Sequence, residues 1–293
     1  MPEILTDDDI RLHVETSGDG PPIVFVHEFA GDHRSWAPQV AAFSARHRCV
    51  VFAARGYPPS DVPQEAWRYS QARAAADVLA VMDALRLPSA HLVGLSMGGF
   101  AVLHAALVAP ARVRSMTMAG VGYGAEPEQA AEFAALSHEA AAQFERLGSA
   151  GFAPVYASGP ARIPFQIKDP DGWQRFAEQL GEHDPRGAAY TLRGVQARRP
   201  SLYALRDELA ALTVPALVIA GDEDDHTLAA SIFLKQTLPA AGLLVLPRSG
   251  HTLNLEAPEA FNAAVATLVD SVERGESWLR DPRTRGASMK TQE

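Results

Sequence analysis

Apolar residues along the chain fall into two alternating kinds of run. Short runs rich in β-branched and aliphatic residues read as strands: Ile10 to Glu15, Ile23 to His27, Cys49 to Ala53, His91 to Gly94, Val113 to Ala119, Ala216 to Ala220 and Leu243 to Leu246. Those from Cys49 onward are apolar on both parities, as a strand covered on both faces requires. Longer alanine-rich patterns at helical spacing run from Ser70 to Leu85, from Gly98 to Ala109 and from Pro258 to about Val272. The alternation predicts an α/β fold, a mostly parallel central sheet with helices on both faces. The pattern ending at Ala109 is apolar almost all round, so its helix should be buried against the sheet. Between the first two strands, Ser17-Gly18-Asp19-Gly20-Pro21-Pro22 carries turn residues that suggest a hairpin and an antiparallel opening.

One stretch breaks the alternation. From Ala119 to Ala216 only helical patterns occur, too long a passage for a simple crossover. Pro154, Pro160, Pro164, Pro170, Pro185 and Pro200 divide it into short helices, and aromatic residues from Phe133 to Tyr203 are spread through it. It reads as a helical cap inserted over the sheet edge, with most of its aromatics serving a core of its own. The expected organisation is residues 1–121 and 213–273 as the α/β core, 122–212 as the cap, and 274–293 as a polar, loosely held tail.

Composition narrows the function. With 26 basic against 35 acidic residues, a net charge of −9 and no basic stripe, nucleic acid is not an expected partner. Cys49 is the only cysteine, which excludes an intramolecular disulfide and a cysteine zinc cluster. The first residues, Met1 to Asp9, have neither the basic start nor the apolar centre of a secretion signal, and no apolar run approaches membrane-spanning length. A cytoplasmic protein acting on a small molecule, away from membranes, is the expectation. Oligomeric state leaves no mark in the sequence.

The chemistry gathers at three strand ends. Gly94-Leu95-Ser96-Met97-Gly98 fits a nucleophile elbow, where a serine stands on a strained turn from a strand into a helix and glycines two residues away avoid collision. The pattern alone is weak, but His91-Leu92-Val93 before it reads as a strand and Gly99 to Leu103 after it opens a helix. A serine hydroxyl needs a base, and His251, just after the last strand, has the right context. His104 falls inside the apolar helix as a core residue, and His33, His47, His138 and His183 have no strand-end context. A carboxylate must then orient the histidine. Gly221-Asp222-Glu223-Asp224-Asp225 follows the preceding strand; Asp224 is favoured, with Asp222 as the fallback.

With these residues in place the chain resembles the α/β-hydrolase superfamily from about Ile10 to Val272. The likeness rests on Gly94 to Gly99, on Gly221 to Asp224, on Gly250-His251, and on Ala54-Arg55-Gly56-Tyr57-Pro58-Pro59-Ser60-Asp61, which is similar to the superfamily's Asp-x-Arg-Gly-x-Gly-x-Ser loop. In the superfamily the acid stands three residues after the glycine, which points to Asp224. The resemblance implies a cofactor-free serine esterase or lactonase with a Ser96, Asp224, His251 triad and an acyl-enzyme. It also implies an oxyanion hole from the backbone N–H groups of Met97 and Phe29.

His27-Glu28-Phe29-Ala30-Gly31 departs from pattern, placing Glu28 where the superfamily usually has glycine. A carboxylate beside an oxyanion opposes catalysis unless paired, and Arg34 and Arg55 are candidate partners. Glu28, Tyr123 and Trp173 are the candidate substrate contacts, and Arg162, Arg175, Arg193, Arg198 and Arg199 leave room for a carboxylate-bearing substrate. Gly120-Val121-Gly122-Tyr123-Gly124-Ala125 matches a dinucleotide fingerprint, but Glu126-Pro127-Glu128 follows where a pyrophosphate would sit, so it reads as a hinge into the cap. The run from Asp222 to His226 is the one alternative considered for a metal; none is expected. A serine argues against the superfamily's aspartate-nucleophile dehalogenases and epoxide hydrolases. It leaves open C–C bond hydrolases of ring-cleavage products and small-ligand receptors with little turnover.

Overall fold

The structure, a computed structural model, describes residues 3–285. Eight strands form one sheet: β1 (Glu3–Leu5), β2 (Arg11–Ser17), β3 (Pro22–Val26), β4 (Arg48–Phe52), β5 (Ala90–Leu95), β6 (Val113–Ala119), β7 (Ala216–Gly221) and β8 (Ala241–Leu246). Their order is β1-β2-β4-β3-β5-β6-β7-β8. From β4 onward across the sheet every pairing is parallel, whereas β1 on β2 and β2 on β4 are antiparallel. The opening is therefore antiparallel, but the expected β2–β3 hairpin does not form. The Gly/Pro turn carries the chain past one strand position, and β4 fills the gap, because β3 belongs at the sheet centre with both edges paired. Turn residues report a local reversal and not which strand becomes the neighbour. The short β1 was not expected.

Alternation along each strand divides the core in two. Val24, Val26, Leu92, Met116 and Val218 face helices α2 (Gln71–Ala84), α3 (Met97–Val108) and α9 (Asp225–Thr237). Phe25, Val51, Val93 and Ile219 face Phe43 of α1 (Ala37–Phe43), the adjoining Trp36, and Phe261 and Val265 of α11 (Pro258–Glu273), which follows the single turn α10 (Leu253–Glu256). Complete burial of such a side chain contributes roughly 1.5–3 kcal/mol, so either face alone outweighs any local propensity. The direction in which successive strands are added reverses about β3: β4 lies on one side of it and β5 on the other. Loops leaving the carboxyl ends of these strands therefore splay apart into a crevice.

Between β6 and β7 lie α4 (Pro127–Tyr156), α5 (Ile163–Lys168), α6 (Pro170–Gly181), α7 (Pro185–Thr191), a π-turn (Leu192–Gln196) and α8 (Arg206–Ala211). Pro127, Pro164, Pro170 and Pro185 all sit in first turns, where a missing N–H costs nothing. Pro154 does not divide the helix as expected. The break in α4 is at Gly148, with φ of +71°, and Pro154 lies inside the helical stretch that restarts beyond it. The helices do not close on a core of their own either. Phe144, Phe165 and Phe176 share one apolar cluster with Phe29, Tyr57 and Met97 from the strand-end loops, so the insertion is packed onto the sheet's crevice.

Beyond α11 the chain is held more firmly than its polarity suggests. The Trp278 indole N–H donates to Ser271 at 2.8 Å, and its ring meets the strand at Gly242. The remainder of the expected tail, 286–293, lies outside the described residues. Among the described residues no helix is long and apolar enough to cross a membrane.

Candidate active site

Ser96 joins β5 to α3 with φ of +52°, a conformation a non-glycine residue holds only where its surroundings impose it. Its N–H donates to the Ala119 carbonyl at 2.7 Å, pinning the turn to the end of β6. A Cβ on Gly94 would stand 2.3 Å from the Gly98 carbonyl oxygen, and one on Gly98 would stand 2.0 Å from the Val26 carbonyl oxygen. Both neighbours are backbone and cannot step aside. Gly98→Ala is therefore expected to destabilise the fold by roughly 3 kcal/mol, the upper end of overpacking costs, read from a denaturant midpoint.

The histidine is fixed from three sides. Its Nδ1 is 2.6 Å from Asp224 Oδ2. An ionised carboxylate only accepts, so Nδ1 carries the proton and Nε2 keeps its lone pair. Its backbone N–H donates to the Ala161 carbonyl at 2.7 Å, a contact from the inserted helices. The buried Glu256 carboxylate accepts the N–H groups on either side of it, from Gly250 at 2.7 Å and Thr252 at 2.8 Å. Asp224 is buried and also accepts from the Thr227 hydroxyl at 3.1 Å. Asp222 instead accepts from the Ser249 N–H, and with Glu223 and Asp225 it is exposed, so the fallback acid does not reach the imidazole. Burial alone would raise the Asp224 carboxyl and depress His251. Their mutual attraction outweighs it, leaving Asp224 below the usual carboxylate value and His251 above its ordinary 6.5.

Glu28 is 1% exposed, and its partner is neither of those expected. Arg162 donates to it twice, Nη1 to Oε1 at 2.9 Å and Nη2 to Oε2 at 2.5 Å, and Nη1 also donates to the Thr252 hydroxyl at 2.9 Å. Arg34 is bonded to Asp32 and Glu182, and Arg55 to Asp8 and Asp77. Burial works to raise the Glu28 carboxyl, but the Arg162 charge brings it below its ordinary value. Beside it His27 is neutral: burial pulls it down to about 4, Nδ1–H donates to the Glu28 carbonyl and Nε2 accepts the Ala54 N–H. Phe29 is buried in the loop that follows β3, its carbonyl accepting from Tyr57 at 2.9 Å, while Met97 opens α3, where N–H groups have no helical partner.

Ser96, Asp224 and His251 line one cavity of about 450 Å³. Phe100, Tyr123, Phe133, Phe152, Tyr156, Arg162 and Arg199 complete much of its wall. Tyr123 is stacked on His226 with ring centroids 4.1 Å apart; His226, not singled out from the sequence as a substrate contact, also lines the cavity. Trp173 does not. It packs among the inserted helices with its indole N–H on the Ala157 carbonyl, since the amphipathic α6 turns that face inward. Of the remaining arginines, Arg175 and Arg198 are exposed and Arg193 pairs with Glu145.

The Gly120 to Ala125 segment connects β6 to α4. Its glycines take φ of +56°, +155° and +73°, and a Cβ on Gly120 would press on the His251 ring at 3.3 Å, so the close approach of backbone to histidine accounts for that glycine. Among the described residues, His13, Glu15 and His33, and separately His47, Asp270 and Glu273, bring ligand-type atoms within 4.8 Å of one another; neither group lines the cavity. Cys49 is buried, and burial pushes its thiol up to about 12, the environment of a packing residue.

Sequence comparison matches the chain to the α/β hydrolase fold family over residues 21–258. The 3-oxoadipate enol-lactonase 1 of Acinetobacter baylyi is 29% identical over 89% of this chain and 94% of its own. The enol-lactonase from Burkholderia xenovorans LB400 superposes with a TM-score of 0.78 at 25% identity, covering 92% of this chain and 100% of that one. A hydrolase from Pseudomonas aeruginosa PA01 does so with a TM-score of 0.79 at 26% identity, covering 92% and 97%. The elbow, the strand order and these relatives agree: the chain belongs to the α/β-hydrolase fold family and is an enzyme of it.

Proposed function

We propose that the protein is a cofactor-free hydrolase of a carboxylic ester or lactone, working through Ser96, His251 and Asp224. One observation carries this reading: a strained serine shares a cavity with a histidine whose far nitrogen is held by a buried carboxylate. Ser96 attacks the carbonyl as His251 Nε2 takes its proton. The imidazolium, stabilised by Asp224, returns that proton to the leaving alkoxide, and a water activated by the same nitrogen then releases the acid. The tetrahedral oxyanion is met by the N–H groups of Met97 and Phe29, with the positive end of α3 behind them. Arg162 keeps the Glu28 charge from opposing that oxyanion.

Residues 122–212 act as the cap, with Tyr123 among the groups that shape the pocket. The similarity to enol-lactonases favours a lactone or enol ester. The enzyme is expected to be cytoplasmic, its substrate small and diffusible.

Hydrolysis of p-nitrophenyl esters, simple lactones and a ring-cleavage diketone tests the reading. Ester or lactone turnover supports it, and activity confined to the diketone would replace it with C–C bond hydrolysis. Ligand binding without turnover would replace it with a receptor role. The acid limb of the pH profile is a second check. The base is neutral His251, so kcat/KM rises as pH climbs through its pKa, which Asp224 holds above 6.5. The expected midpoint of that limb lies above pH 6.5, and a midpoint below it would contradict the Asp224–His251 pairing.

A further inference from the structure

The cavity contains two arginines in opposite circumstances. Arg162 is neutralised by Glu28. Arg199 has no carboxylate partner among the described residues: Nη1 donates to the Gln196 side-chain oxygen at 2.7 Å, Nη2 donates to the Tyr123 carbonyl, and the buried Nε has no hydrogen-bond partner. Its guanidinium lies over the rings of Phe100 and Phe133, 3.9 and 4.6 Å from their centroids. Aromatic faces attract a cation but offer no acceptor in the guanidinium plane. Burial draws Arg199 down to about 9, so it is still charged at neutral pH. A cation held this way costs stability unless an anion joins it.

We infer that Arg199 receives a carboxylate carried by the substrate, so that the ester or lactone cleaved at Ser96 is an anionic one. This rests on the hydrolase reading and names its substrate class. Phe100, on which Arg199 lies, follows Ser96 by one helical turn, its N–H bonded to the Ser96 carbonyl, and all three residues line the same cavity. One substrate can therefore touch both residues. A guanidinium fork suits a carboxylate better than any neutral acceptor.

The test compares the mono-p-nitrophenyl ester of glutarate with p-nitrophenyl pentanoate, an uncharged ester of equal chain length. The parent should favour the anionic ester in kcat/KM. Arg199→Met should lower that preference by about 10- to 100-fold, mainly through KM, as loss of a charged hydrogen bond does. Arg199→Lys should restore part of it. Equal activity of the parent on both esters, or an equal loss on both in Arg199→Met, would overturn the inference. The parent's own preference decides even if Arg199→Met misfolds. Should the parent hydrolyse neither these esters nor the simple lactones, the hydrolase reading fails separately, and calorimetry with glutarate then decides: binding lost in Arg199→Met supports the anion site, and no binding by the parent refutes it.

Discussion

Ser96→Ala and His251→Ala are each expected to lower kcat on a responsive ester by about 10⁴- to 10⁶-fold, with the double variant scarcely worse than either single one. The non-additivity is the informative part. Under the proposed mechanism nucleophile and base act as one unit, so removing either would leave only binding and oxyanion stabilisation behind. Asp224→Asn should cost about 10⁴-fold while keeping the shape of the site, because an amide in place of the acceptor favours the wrong imidazole tautomer. Steady-state kinetics check these values, with circular dichroism showing that each variant is folded. Additive losses, or an Asp222→Asn variant worse than Asp224→Asn, would contradict the assignment, since Asp222 is bonded to the Ser249 N–H.

Arg162→Met should be the most destabilising change at the junction between the inserted helices and the sheet. It strands the Glu28 carboxylate, 1% exposed, without its counter-charge, a loss of about 3–5 kcal/mol when one partner of a buried pair is removed. It also breaks the link to Thr252, beside the histidine. Adding Glu28→Met should recover most of the loss, because two apolar side chains of similar volume replace a buried ion pair at little cost. Denaturant midpoints of the two singles and the double measure the coupling. A loss below about 1 kcal/mol for Arg162→Met would show that the pair behaves like an exposed ion pair.

What could be read from the sequence was what short-range geometry enforces. Gly94 and Gly98 are needed because backbone meets backbone within a few residues of Ser96 or at the adjoining strand end, and that leaves a spelling in the chain. Asp224 and His251 were legible because each follows a strand of a parallel sheet, and such strands deliver their ends to one edge. The Glu28–Arg162 pair was not: its members lie 134 residues apart, and nothing local tells which arginine of the insertion turns inward. The same holds for Trp173: the spacing of α6 is compatible with a ring facing the cavity or the helices packed behind it, and the structure has the latter. The β2–β3 hairpin failed for a related reason, since a turn motif is satisfied whether or not another strand slips between its arms. The Ala161 and Glu256 contacts that hold His251 leave no residue-type signature, because they engage backbone groups.

The most direct test is the mass of the Ser96 peptide after rapid acid quench of the enzyme mixed with a p-nitrophenyl ester. The account predicts that this peptide gains the mass of the acyl group, formed in step with a burst of p-nitrophenol, and that the gain disappears in His251→Ala. An unmodified Ser96 peptide during steady turnover, or the acyl group on another residue, would contradict it.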